Sequence, residues 1–222
     1  HPVGEGLSFE LTTNLSNSSD GYAGLAGADA NDGAGWLPIG TEDNPFIGTF
    51  DGGGYSIAGL NIDRSATDSV GLFGAAGSTD PDAPVTSITD LYIDGTIFGQ
   101  SDVGLLVGAA RHVTIERVGV SGSVTAAGDQ AGGLAGNSQA ENAAIRLSYS
   151  TASVAGGSNV GGLVGQTSGL VENSYATGSV TADVDNAGGL IGHADTTASV
   201  QFAYATGAVS APEQANVGGL IG

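Results

Sequence analysis

One short pattern returns down this chain and limits what it can become. Gly161-Gly162-Leu163-Val164-Gly165 recurs as Gly132-Gly133-Leu134-Ala135-Gly136, Gly188-Gly189-Leu190-Ile191-Gly192 and Gly218-Gly219-Leu220-Ile221-Gly222. Two looser copies, Gly71-Leu72-Phe73-Gly74 and Gly104-Leu105-Leu106-Val107-Gly108, stand before them. The final glycines fall at 74, 108, 136, 165, 192 and 222, in steps of 34, 28, 29, 27 and 30 residues. Self-similarity at such a period marks a stacked-repeat architecture, in which each unit buries its apolar side only against its neighbours.

A second set of positions repeats with the first. Ile57, Ile88, Ile115, Ile145, Val171 and Val200 open equivalent strands, at a mean spacing of 28–29 residues per coil. Three residues on stand Leu60, Leu91, Val118, Ser148, Ser174 and Ala203, and two further on Ile62, Ile93, Val120, Ser150, Ala176 and Ala205. Alternate residues of a strand face opposite sides, so this apolar or small parity is predicted to face inward. Glycine, at 40 of 222 residues, costs a helix about 1 kcal/mol per position, and no segment keeps a 3.6-residue apolar stripe. The expected fold is all-β: a right-handed parallel β-helix, or β-solenoid. The handedness comes from the general prevalence of right-handed β-crossovers. Residues 57–222 read as the repeats. Residues 1–56, rich in aromatics, read as a cap and first coil continuous with them, in one domain. With each coil adding about 4.8 Å, the rod would be on the order of 35 Å long.

Composition narrows function. There are 23 Asp and Glu against four Arg and no Lys, for a net charge of -19. Such a field repels nucleic acid and anionic membrane surfaces. No apolar run approaches the ~20 residues of a membrane span, so no membrane insertion is expected. There is no Cys for a disulfide or a thiolate metal site. The chain opens His1-Pro2-Val3, which is not expected to be a signal peptide, and stops on a repeat copy. It is read as part of a larger chain with an extracellular or cell-surface life. Open strand edges at the ends of the array would favour end-to-end contact.

The repeat resembles a known family. Gly-Gly-Leu-Val-Gly, followed by Asn173-Ser174-Tyr175-Ala176-Thr177-Gly178-Ser179-Val180 ahead of the next copy, is similar to the GLUG-motif repeats. Trp36-Leu37-Pro38-Ile39-Gly40 and Pro45-Phe46-Ile47-Gly48-Thr49-Phe50-Asp51-Gly52 resemble the segment that leads into them. The resemblance covers roughly residues 36–222. It implies a parallel β-solenoid in large bacterial or archaeal surface and secreted proteins, including filamentous-haemagglutinin-like adhesins. It brings no catalytic residues.

Residues suited to chemistry are sparse. His1, His112 and His193 share no repeat column, and no nucleophile elbow, P-loop or His-Glu-x-x-His occurs. His1 could offer an amino-terminal chelate. Polysaccharide-degrading β-helix enzymes need paired carboxylates on neighbouring coils. The pairs on offer are Asp63 with Asp94 and Asp90 with Glu116, with no basic column beside them. Asp29-Ala30-Asn31-Asp32-Gly33, Asp80-Pro81-Asp82 and Asp183-Val184-Asp185-Asn186 are oxygen-rich loops in which a structural calcium is one reading and a solvated loop the other. No other cofactor is implied. With the small parity inside, one outer column holds Tyr92, Gly119, Tyr149, Tyr175 and Tyr204. A second holds Asp94, Ser121, Thr151, Thr177 and Thr206, and a third Thr96, Ser123, Ser153, Ser179 and Ala208. These columns are either an ordinary exposed sheet face, a carbohydrate-binding face with tyrosine rings against sugars, or an ice-binding Thr/Ser array. The expected function is a non-catalytic stalk or binding surface of an adhesin, with carbohydrate or host or neighbouring cell-surface molecules as partners. A polysaccharide-degrading enzyme, an ice-binding face and a pure spacer are the alternatives.

Overall fold

Phe50, Ile88, Ile115, Ile145, Val171 and Val200 lie side by side, each one strand from the next, in parallel register. The hydrogen-bonded partner of each strand is therefore the equivalent strand one coil along. This is a parallel β-solenoid of six such coils, in a computed structural model that describes residues 3–80, 82–140, 142–213 and 215–222. Among the described residues one helix of four residues, Ala23–Ala26, sits in the cap loop, where no helix is predicted.

Two of the coils carry 14-residue strands, Thr86–Gly99 and Val113–Ala126. In the next two coils the same path is broken into Ala144–Arg146, Tyr149–Ser150 and Ser153–Gly161, then Leu170–Glu172, Tyr175–Ala176 and Val180–Gly188. The glycine pentapeptides lead into a separate stack: Phe73–Ala76, Val107–Ala110, Ala135–Ser138, Val164–Thr167 and Ile191–Ala194.

The inward parity is as predicted. Ile88, Ile93, Ile97, Ile115, Leu134 and Leu163 are among the largest fully buried side chains. The interior narrows along the rod, because Ile93 and Val120 give way to Ser150 and Ala176 in the same column. In the column of Ser148 and Ser174 the buried hydroxyls are satisfied, whereas among the described residues Tyr22 OH and Thr86 Oγ1 have no partner. Ser148 Oγ donates to the Arg146 carbonyl at 2.7 Å and Ser174 Oγ to that of Glu172 at 2.8 Å. Each also accepts an amide from the coil before, Val118 N–H at 3.1 Å and Ser148 N–H at 3.2 Å. At the other end Phe9, Phe46, Phe50 and Phe73 form a chain of ring contacts, 4.9–5.9 Å between centroids.

The first coil departs from the predicted alignment. Ile57 pairs with Ile93 and Ile62 with Ile97, while Phe50 takes the place beside Ile88 that periodicity assigns to Ile57. Most of the displacement arises ahead of Ile57, because the strand holding Phe50 occupies that place; a further single-residue shift lies at Gly59. Its φ of +72° inserts one extra residue between Ala58, opposite Asp94, and Leu60, opposite Gly95.

The pentapeptide glycines are explained by what their missing side chains would strike. A Cβ on Gly162 would stand 2.3 Å from the Gly189 carbonyl oxygen, and one on Gly133 2.0 Å from Ser150 Oγ. The final glycine of each copy lies against a corner of the coil before. Cβ atoms at Gly108, Gly136, Gly165 and Gly192 would lie 2.3–2.8 Å from the backbone nitrogens of Val70, Val103, Ala131 and Val160. The residues just ahead of those nitrogens, Ser69, Asp102, Gln130 and Asn159, all have φ of 53–57°. Gly162→Ala should therefore cost about 1–3 kcal/mol by overpacking. Gly24→Ala, where a Cβ meets nothing within 4 Å, should change stability by less than about 0.5 kcal/mol. Urea denaturation of the two variants checks the contrast.

Candidate functional site

The outer face of the strand column is built by the same register that builds the core. Tyr149 pairs with Tyr175 and Tyr175 with Tyr204. Their rings stack at 5.1 and 5.0 Å with interplanar angles of 5° and 4°. Tyr149 also pairs with Gly119, where a Cβ would stand 2.4 Å from the Tyr149 ring, so this ring covers the gap that glycine leaves. Tyr92 stands beyond Gly119 and takes no part in the stack. Its hydroxyl donates to Ser121 Oγ at 2.7 Å, and Ser121 donates to Asp94 Oδ1 at 2.7 Å. Partial burial, then the neighbouring phenols of Tyr175 and Tyr92, push the Tyr149 phenol above its ordinary pKa.

This geometry alters the expected sugar contact. Both faces of the Tyr175 ring are covered by its neighbours. What the ladder offers outward is ring edges and hydroxyls, not open faces for sugars to stack on. Thr151, Thr177 and Thr206 are exposed beside it, one per coil. Thr151 Oγ1 donates to the Val120 carbonyl at 3.3 Å. The third column runs in register from Thr96 to Ser123 to Ser153.

The acid pairs do not form as the spacing suggests. Asp63 lies opposite Phe98, and Asp94 opposite Ala58, so these two carboxylates are not neighbours. Asp90 and Glu116 do come together, but a basic partner that periodicity missed lies between them. Arg117 binds both Asp90 oxygens, at 2.6 and 2.8 Å, and also contacts Glu116. That hydrogen-bonded guanidinium holds the Asp90 carboxyl below its ordinary pKa.

The oxygen-rich loops are used internally. Asp185 Oδ1 accepts the backbone amides of Asn186 and Asn216, both at 2.8 Å, which lowers its pKa and ties two coils together. Asn31 Nδ2 donates to the Gly35 carbonyl at 2.7 Å. Among the described residues no group of three or more His, Asp and Glu side chains converges as a metal would require. His1 and Pro81 lie outside the described residues. His193 Nε2 stands 3.4 Å from Asp195.

A polar seam at the left-handed corner went unread in the sequence. Asn186 donates to Asn159 at 2.7 Å and Asn216 to Asn186 at 2.9 Å, one amide per coil. Gln166 accepts from Gln130 and Asn159, each at 3.3 Å. Near the cap, Glu42 takes Ser69 Oγ and Arg111, each at 2.8 Å, and so fastens the cap to the first coils. Asp102 sits in the same column as Ser69, and among the described residues its Oδ1 has no hydrogen-bond partner. Burial, reinforced by the charges of Glu42 and Asp68, raises its pKa to about 6.

Against this geometry the comparisons are specific. Residues 156–181 match the family model of the GLUG motif. The chain carries the GLUG motif. Halomucin of Haloquadratum walsbyi is 39% identical to this GLUG solenoid over 189 residues, 80% of the chain but 2% of that protein. A candidate Gly-rich membrane protein of Evansella cellulosilytica is 36% identical over 75 residues, 34% of the chain and 8% of that protein. The GLUG segment thus spans a small part of these relatives. Among solved structures, a candidate immunoglobulin A1 protease from Bacteroides ovatus superposes with a TM-score of 0.65 at 18% identity, covering 97% of this chain and 72% of that one. At that identity the likeness is one of fold.

Two outcomes follow for the GLUG solenoid. The folded-state pKa of Asp102 lies above its ordinary 3.8. The native state therefore holds this proton more tightly than the unfolded chain, and stability falls as pH rises from about 4 to about 6. Asp102→Asn should gain up to about 2 kcal/mol above pH 6, after allowance for solvent screening, and nothing below pH 4. Thermal melts of both proteins from pH 4 to 8 check this. Tyr175→Ala removes two ring contacts and should cost about 1–3 kcal/mol, whereas Tyr204→Ala removes one and should cost about half as much in urea denaturation.

Proposed function

We propose that this segment is a non-catalytic part of a cell-surface protein, a stiff β-solenoid whose outer sheet face attaches to glycans or other hydroxyl-bearing surfaces. The observation that carries the reading is that face. Two hydroxyl rows, Ser121-Thr151-Thr177-Thr206 and Thr96-Ser123-Ser153-Ser179, repeat once per coil on a backbone whose spacing the glycines fix. Matched rows of donors and acceptors suit many weak hydrogen bonds to a repeating partner, with the gain in avidity that multiple contacts bring. The names of its relatives, a halomucin and a candidate Gly-rich membrane protein, support a place at the cell surface. Among the described residues no helix is long and apolar enough to cross a membrane. The separation of Asp63 from Asp94 and the occupation of Asp90 and Glu116 by Arg117 support a non-catalytic role.

The test is retention of the purified segment on immobilised neutral and acidic polysaccharides, with the supernatant assayed for new reducing ends. Retention without new ends is expected. The triple variant Thr151→Val, Thr177→Val, Thr206→Val should keep its melting temperature to within a few degrees and lose most of that retention. New reducing ends would make the protein an enzyme. Absence of retention on every polysaccharide would make it a spacer.

A further inference from the structure

The cap loop reaches back over the outer face and closes one side of a cleft. Asn17 from the loop, with Asn61, Asp94 and Thr96 from the sheet, lines a space of about 300 Å³, at the lower end of the size range of small-ligand sites. Gly95 and Gly122 form part of its lining and put no side chain into it. Among the described residues the carboxamides of Asn17 and Asn61 make no hydrogen bond to the protein. Asp94 is oriented by the Tyr92–Ser121–Asp94 chain, which engages Oδ1 and leaves Oδ2 unused.

These groups specify a ligand chemistry. One carboxylate oxygen accepts hydroxyl protons, two carboxamides both donate and accept, and a threonine hydroxyl does either. No cation lines the cleft, and the net charge of -19 opposes anions. The cleft is also continuous with the two hydroxyl rows. Thr96 heads one row, and Asp94 stands in register with Ser121 at the head of the other. We propose that this cleft takes the terminal residue of a neutral glycan, whose following units run down the hydroxyl rows. The proposal rests on the attachment reading above and places its anchoring point at the cap, away from the tyrosine ladder.

Titration calorimetry of the 222-residue chain with cellohexaose, maltohexaose and chitohexaose, and with polygalacturonate as an anionic comparison, tests it. Binding of at least one neutral hexasaccharide is expected. Asp94→Asn, which keeps the Ser121 hydrogen bond, should weaken that binding about tenfold or more, and Thr96→Trp should abolish it by filling the cleft. Should either variant melt early, Asn17→Ala in the exposed loop replaces it, with the same weakening expected. Wild-type affinity in these variants, while the triple Val variant loses binding, would overturn the cleft and leave the attachment reading standing. Binding of polygalacturonate alone, or of no hexasaccharide by a protein still retained on polysaccharide, would do the same. Loss of retention on every surface would instead sink the attachment reading itself.

Discussion

Everything else in this molecule depends on how closely the backbone of one coil approaches the next at the glycine stack. The final glycine of each pentapeptide sits against a left-handed corner of the coil before, at Val103 N for Gly136 and Val160 N for Gly192, where a methyl group has no room. The corner residue takes a positive φ so that the chain can turn there. The glycine one coil on leaves space for that turn. Neither feature is useful without the other, and the pairing recurs for Ser69, Asp102, Gln130 and Asn159. Hydrogen bonds and hydrophobic contacts between coils then form with little freedom to slip, because a one-residue slip would bring side chains against these corners and turn the core parity outward.

That locked register makes the outer face regular. Identical side chains fall above one another, so tyrosines stack face to face and hydroxyls form rows. The same stacking limits the tyrosines: a ring covered on both faces reinforces the sheet and cannot also lie flat on a ligand. The hydroxyl rows and the cleft under the cap keep unused hydrogen-bonding capacity. The corner seam on the other side spends its capacity internally, with Asn216, Asn186 and Asn159 bonded in series. The two polar surfaces therefore differ in kind, one holding coils together and one facing solvent.

Much of this was legible in the sequence. From Ile88 onward the predicted columns are the observed ones, because nearly every coil repeats the same inward positions and small residues replace large ones without changing parity. The first coil was misaligned because Phe50, on a different strand, supplies the side chain expected from Ile57, and Gly59 then adds one further residue that a period cannot reveal. The Arg117 clamp was missed since it occurs in one coil only, where repetition gives no signal. The corner column Asp90, Arg117, Leu147, Asn173 and Phe202 shares a φ of 50–55°, yet only Asp and Asn in it are common left-handed residues. Ring stacking and the cleft depend on side-chain orientation and on the path of the cap loop, neither of which a repeat pattern encodes.

The central claim is that register places the tyrosines outside, stacked on one another, with the hydroxyl rows beside them. It is tested most directly by nuclear Overhauser contacts among the tyrosine rings in a protein labelled at tyrosine and at Ile, Leu and Val methyls. The account predicts ring-to-ring contacts for Tyr149 with Tyr175 and Tyr175 with Tyr204, none for Tyr149 with Tyr204, and few from these rings to core methyls. Strong contacts from the three rings to Val120, Val154 or Leu163 methyls, without the ring-to-ring pairs, would put the tyrosines in the core and contradict it.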